Sequence, residues 1–192
     1  PSFLFAQTDS TDIIVQNIMK QQKIVGLSLA VIKKGEVTVN KGYGLANVEF
    51  NVAASNETVF RLGSVSKQFF TTAIMKLQEA GLLSINDSVH KFFPDAPETW
   101  RPILVKNLMS HTSGLQRESP AYDNFKMTID LDIIKAGYPL ALDFNTGEKY
   151  QYCNLAYYML AQIITQVSGQ HWSKYIEEKL FAPAGMNNSR MT

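Results

Sequence analysis

The chain has 192 residues, 45% of them hydrophobic, enough to bury a core and to exclude a disordered chain, organised as one domain or one and a half. Its 18 basic and 17 acidic side chains are dispersed and leave a formal charge of +1, so there is no basic stripe for nucleic acid or an anionic membrane surface. The one cysteine, Cys153, excludes an internal disulfide, and no run is long and apolar enough to read as a transmembrane segment.

The opening Pro1-Ser2-Phe3-Leu4-Phe5-Ala6-Gln7 is apolar and turns polar at Thr8-Asp9-Ser10. It reads either as the tail of an export signal cut near Ala6, which would make the protein periplasmic or secreted, or as an N-terminus whose Phe3 and Phe5 dock on the core. From Thr11 to Gln22, Ile13, Ile14, Ile18 and Met19 recur at helical spacing and predict an amphipathic surface helix. Gly26 to Ile32 and Val37 to Tyr43 read as two strands of a β-hairpin around Lys33-Lys34-Gly35-Glu36. Leu45 to Thr58 is rich in Asn, Ala and Ser and is assigned no element, and Val59-Phe60-Arg61-Leu62 reads as a short extended piece leading to Gly63.

Ser64 to about Ala80 then places Phe69, Phe70, Ala73, Ile74 and Leu77 on one helical stripe, with Gly81 as the stop. Proline punctuation follows at Pro94, Pro97 and Pro102, then a short helix near Val105 to Met109, and a loop from Gln116 to Lys126. A weak helix near Leu131 to Lys135 precedes the turn Asn145-Thr146-Gly147-Glu148. Asn154 is placed to cap an apolar helix running to about Ser168 with Gly169 as its stop, and a last helix runs from Trp172 to about Phe181.

On a helix, Ser64 and Lys67 stand on one face, so the amine can reach the hydroxyl: a nucleophile beside a candidate base. The helix start also turns N–H groups and the positive end of its dipole toward an anion forming at that serine. Ser-x-x-Lys is a weak pattern and occurs again at Ser88-Val89-His90-Lys91, but that copy lies in a turn shortly before Pro94, whereas Ser64 opens a long helix. Tyr-x-Asn likewise occurs at Tyr122-Asp123-Asn124, in a turn-rich loop, and at Tyr152-Cys153-Asn154, at the entrance of an apolar helix. A tyrosine hydroxyl close to a lysine can relay a proton, and an asparagine amide can both donate and accept.

Phe60-Arg61-Leu62-Gly63-Ser64-Val65-Ser66-Lys67, Leu108-Met109-Ser110-His111-Thr112-Ser113-Gly114-Leu115 and Gly147-Glu148-Lys149-Tyr150-Gln151-Tyr152-Cys153-Asn154, in this order and separation, resemble the serine β-lactamase and penicillin-binding protein family. The branch resembled is that of class C β-lactamases, D-Ala-D-Ala carboxypeptidases and related esterases, over nearly the whole chain. The resemblance implies an α+β fold of the β-lactamase/transpeptidase type, with part of an antiparallel sheet and a mostly helical region. Residues 11–62 would supply the N-terminal helix and hairpin, 63–182 the helical domain, and 183–192 the start of a return to the sheet.

The same resemblance implies that Ser64 forms an acyl-enzyme with a small-molecule or peptidoglycan-like peptide substrate: a β-lactam, a D-Ala-D-Ala peptide or an ester. Lys67 and Tyr152 would share the proton transfers, either serving as acylation base, and Asn154 would help hold substrate and Lys67. No cofactor and no metal are implied. His111 belongs to the pattern as a structural turn, while His90 and His171 read as surface or packing residues.

Two features depart from the family pattern: Cys153 stands where serine is common, and a third motif of Lys or His, then Thr or Ser, then Gly does not follow Tyr152. Lys33-Lys34-Gly35 and Lys135-Ala136-Gly137 precede Tyr152 and are decoys. The chain therefore reads as an N-terminal portion, weakly active or inactive alone, with an exposed hairpin edge open to self-association. The rival readings are a non-catalytic assembly module using that edge, and an α/β-hydrolase esterase, which the lack of a Gly-x-Ser-x-Gly elbow disfavours.

Overall fold

The structure, a computed structural model, describes residues 10–122 and 130–191. The apolar opening at Pro1 to Gln7 and the asparagine of Tyr122-Asp123-Asn124 lie outside the described residues. The chain forms two compact units, one ending at Arg61 and the other beginning at Leu62.

The first unit holds helix α1 (Ser10–Gln22) and an antiparallel sheet of β1 (Gly26–Lys33), β2 (Glu36–Asn47) and β3 (Val52–Ala53), in that order. Lys34 and Gly35 both take positive φ, 53° and 83°, which is the mirror-image turn whose twist matches the strands it joins. The hairpin follows the predicted one. The strand does not stop at Tyr43, however, and residues 45–58, to which composition assigned no element, contain a second pairing, Leu45 with Ala53 and Asn47 with Val52. An Asn47 side chain accepting the Phe50 N–H at 2.7 Å closes this turn.

Helix α1 is tied to the sheet by Asp12, whose carboxylate accepts from Lys41 Nζ at 3.0 Å and from Tyr43 OH at 2.8 Å. Its apolar stripe is less covered than periodicity suggests: Val15 is buried, while Ile13, Ile14 and Ile18 are about half exposed. The extended piece expected at Val59 to Leu62 pairs with no strand and is irregular and exposed.

The second unit is built around helix α5 (Leu155–Ser168), against which pack α2 (Lys67–Glu79), α3 (Val105–Met109), α4 (Asp130–Ala136) and α6 (Trp172–Ile176). Leu155, Ala156, Met159, Leu160, Ile163 and Ile164 of α5 are all buried, meeting Ala73, Ile74 and Leu77 of α2, Leu108 of α3, Ile134 of α4 and Ile176 of α6 in one core with Phe93 and Trp100. Such a helix, apolar on most of its circumference, has to be surrounded. Gly81 and Gly169 adopt φ of 72° and 73°, the left-handed conformation of a helix stop. The last helix departs from α geometry after Ile176 and continues as a π-turn through Glu177–Phe181.

Candidate active site

Ser64 does not sit in α2 itself. Gly63–Ser66 form a 3₁₀ turn and the α-helix begins at Lys67, which corrects the expectation of a single α-helix from the serine onward. A 3₁₀ turn has about three residues per turn, so side chains three apart eclipse one another, and Lys67 is drawn over Ser64. Lys67 Nζ donates to Ser64 Oγ at 3.3 Å and to Asn154 Oδ1 at 2.8 Å. Tyr152 OH donates to Ser64 Oγ at 2.5 Å. All four residues singled out in the sequence, Ser64, Lys67, Tyr152 and Asn154, thus meet in one hydrogen-bonded cluster across separations of up to 88 positions.

The Lys67 ammonium also lies 4.8 Å from the centre of the Tyr152 ring and 5.2 Å from that of Tyr157, and the Arg117 guanidinium 5.3 Å from the Tyr152 ring. Partial burial works to raise the Tyr152 phenol, but Lys67, the bond to Ser64 and the Arg117 charge outweigh it and leave the phenol below its ordinary value. Tyr157, by contrast, is pushed up to about 12 by burial and the neighbouring tyrosines, and donates to the Met109 carbonyl at 3.0 Å.

The loop carrying Ser110 to Arg117 holds the tyrosine motif in place, strand-like although neither segment is a strand. Gly114 O accepts from Asp143 N, Thr112 O from Gly147 N, His111 O from Gln151 N and Arg117 O from Asn154 N, all between 2.8 and 2.9 Å. Gly114 has φ of 83°, and a side chain there would place its first carbon 2.2 Å from the Phe144 carbonyl oxygen, so only glycine allows the two segments to close. His111, at φ 58°, turns its ring between Tyr152 and Tyr157, 4.7 and 5.1 Å away, and Nδ1 accepts the Cys153 N–H at 3.1 Å. That bond requires an unprotonated Nδ1, and burial followed by the Lys67 charge lowers the imidazole pKa. The histidine is therefore a structural turn residue, as the family pattern implies, with a defined tautomer.

Asn154 differs from expectation in one respect. It stands at the N-cap position of α5, but its side chain makes no capping bond. The Cys153 thiol does so instead, accepting from Ala156 N at 3.3 Å while donating to the Gln116 carbonyl at 3.2 Å. Burial pushes that thiol up to about 11, so it serves as a neutral capping group. The Asn154 amide is thereby released to the site, where Nδ2 donates to Glu118 Oε1 at 2.5 Å.

Glu118 is the residue that pattern reading missed. It follows the Ser110 to Leu115 motif at no diagnostic spacing, and the only local signal is an acidic side chain in a loop. The decoys behave as expected. Ser88 caps a 3₁₀ turn and donates to the Arg101 carbonyl, while Lys91 pairs with Asp87 at 2.7 Å. Lys34 lies in the hairpin turn, and Lys135 pairs with Asp95 at 2.9 Å. His90 contacts the Pro97 carbonyl and His171 caps α6. Among the described residues no group of three or more acidic, His or Cys side chains could hold a metal, and no helix is long and apolar enough to cross a membrane.

Protein flp of Staphylococcus aureus (strain COL) is 31% identical over 184 residues, which are 93% of this chain and 37% of that protein. Among solved structures, the octameric penicillin-binding protein homologue from Pyrococcus abyssi superposes with a TM-score of 0.76 at 31% identity, covering 92% of this chain and 42% of that one. The beta-lactamase/D-alanine carboxypeptidase from Yersinia pestis, complexed with citrate, gives a TM-score of 0.77 at 28% identity over 92% of this chain and 53% of that one. The chain thus spans about half or less of the length of these relatives, and shares with them the β-lactamase/transpeptidase-like fold. The Beta-lactamase family profile matches residues 12–192, and the chain belongs to that family.

Proposed function

We propose that this chain carries the acylating centre of a penicillin-recognising serine hydrolase. The observation that carries the reading is the convergence of Tyr152 OH and Lys67 Nζ on Ser64 Oγ, at 2.5 and 3.3 Å. Ser64 Oγ attacks the carbonyl carbon of a β-lactam, a D-Ala-D-Ala peptide or an ester, and its proton passes to the Tyr152–Lys67 pair. The lowered Tyr152 phenol supports the tyrosine oxygen as the immediate acceptor once the phenol has ionised and the Ser64 hydroxyl has turned to donate to it, with the ammonium of Lys67 stabilising the phenolate. Collapse of the tetrahedral intermediate breaks the bond to the leaving nitrogen or oxygen, which takes that proton, and water later releases the acyl group from Ser64.

In this reading the backbone at the start of the Gly63–Ser66 turn supplies one oxyanion donor, and the second belongs to the strand carrying the family's third motif. Each oxyanion donor is worth about a hundred- to a thousandfold in turnover, so a chain acting without that strand acylates slowly. Incubation with a fluorescent penicillin, followed by mass spectrometry of the Ser64 peptide, tests the reading. We expect a slow, stoichiometric adduct that Ser64→Ala abolishes; an adduct elsewhere, or none after prolonged incubation, would refute it.

A second reading, assembly through the sheet edge, is favoured by exposed Ile32 and Val37 on the β1–β2 hairpin. Light scattering over a range of concentrations tests it: a monomer throughout would exclude edge-driven assembly.

A further inference from the structure

Glu118 hydrogen-bonds neither Ser64 nor Lys67 among the described residues; its Oε1 accepts from Asn154 Nδ2 and lies 3.6 Å from Arg117 Nε, whose guanidinium stands over the Tyr152 ring. We propose that Glu118 is a positioning residue: its carboxylate holds the Asn154 amide in the one orientation that turns Oδ1 to Lys67, and so keeps the amine against Ser64 Oγ. The inference rests on the reading of Ser64 as the acylated nucleophile.

An asparagine amide has two ends of nearly equal shape and opposite hydrogen-bonding sense. Lys67 can only donate and an ionised Glu118 can only accept, so the amide between them satisfies both in one orientation, Oδ1 to Nζ at 2.8 Å and Nδ2 to Oε1 at 2.5 Å. The reverse orientation sets N–H against ammonium and carbonyl oxygen against carboxylate. Both bonds are charge-assisted and stronger than a neutral pair.

The main chain supports the arrangement. Asn154 N donates to the carbonyl of Arg117, the residue next to Glu118, at 2.8 Å, so amide and carboxylate are held in register by an adjacent backbone bond. The second carboxylate oxygen, Oε2, is buried without a hydrogen-bond partner among the described residues, although the side chain as a whole is 37% exposed, so that oxygen is held in place at the expense of its own solvation. One amide hydrogen of Asn154 stays available to a substrate carbonyl. A glutamine in place of Glu118 would lose the discrimination, because its own amide can meet Asn154 with either end.

The test exchanges the polarity of the pair. Ser64 acylation is followed with p-nitrophenyl acetate, whose acetyl group has no amide for Asn154 to grip, in the parent chain, Glu118→Gln, Asn154→Asp and the double variant. Glu118→Gln is expected to slow acylation about tenfold or more, the scale of one charge-assisted hydrogen bond. Asn154→Asp alone sets two carboxylates face to face and is expected to be slower still. In the double variant the introduced glutamine amide donates to the introduced aspartate, whose other oxygen still accepts from Lys67, and the rate is expected to exceed that of both single variants. A double variant no faster than the faster single would overturn the proposal, since a packing role would not produce rescue.

If the parent chain forms no Ser64 adduct, the hydrolase reading fails and positioning is decided by heteronuclear NMR of the Asn154 side-chain amide. One of its two protons should lie downfield and lose that shift in Glu118→Gln. An amide pair indifferent to that substitution would refute the proposal whatever the activity.

Discussion

Replacing His111 by alanine tests how the tyrosine motif is held. The change removes the acceptor of the buried Cys153 N–H and the ring lying between Tyr152 and Tyr157. A buried donor left unpaired costs about 1–3 kcal/mol, and the lost ring contacts add roughly 0.5–1.5 kcal/mol, so a destabilisation of about 2–4 kcal/mol is expected. The same bond makes a prediction about pH. The folded-state pKa of His111 is depressed, chiefly by burial and then by Lys67, so the unfolded chain binds the proton more readily. Its contribution is fully present above the ordinary histidine value of about 6.5 and is lost as pH falls through the depressed folded value. Urea unfolding of the second unit, followed by tyrosine and tryptophan fluorescence on both sides of that value, measures both effects. The parent should weaken on acidification, and His111→Ala should be weaker at neutral pH with a shallower acid slope. Equal slopes in the two proteins would refute the assignment of Nδ1 as an obligatory acceptor.

Tyr152→Phe removes the hydroxyl bonded to Ser64 while leaving the ring against His111, so penicillin acylation should fall about a hundred- to ten-thousandfold with unchanged circular dichroism. Leu160→Ala empties a fully buried position at the centre of α5 and should cost about 2–5 kcal/mol in urea unfolding. Cys153, buried and with its thiol pushed up to about 11, should resist a disulfide-exchange reagent at pH near 8 in the native chain and react fully in denaturant. Ser88→Ala, at the second Ser-x-x-Lys, should leave acylation unchanged, because Lys91 is committed to Asp87.

Where a feature depends on a few neighbouring residues, it was readable. The Lys34–Gly35 turn, the stops at Gly81 and Gly169, and the pairing of Ser64 with Lys67 each follow from conformations within a handful of positions. Local reading erred where a side chain had two local uses. Asn47 closes a hairpin that composition did not announce, and the stripe of Ile13, Ile14 and Ile18 has the spacing of a buried face without being covered among the described residues.

By itself the sequence carried the motifs whose resemblance to the family implied the fold class and singled out Ser64, Lys67, Tyr152 and Asn154, because the order and separation of motifs are properties of the chain in order. Only the tertiary structure decided what Asn154 does. A cap from its own side chain was the local expectation, yet the Cys153 thiol caps α5, freeing the amide to stand between Lys67 and Glu118, 87 positions and 36 positions away. A hydrogen bond over that separation exists only once α2, the Ser110 to Arg117 loop and the start of α5 have packed together, and no window of sequence contains all three.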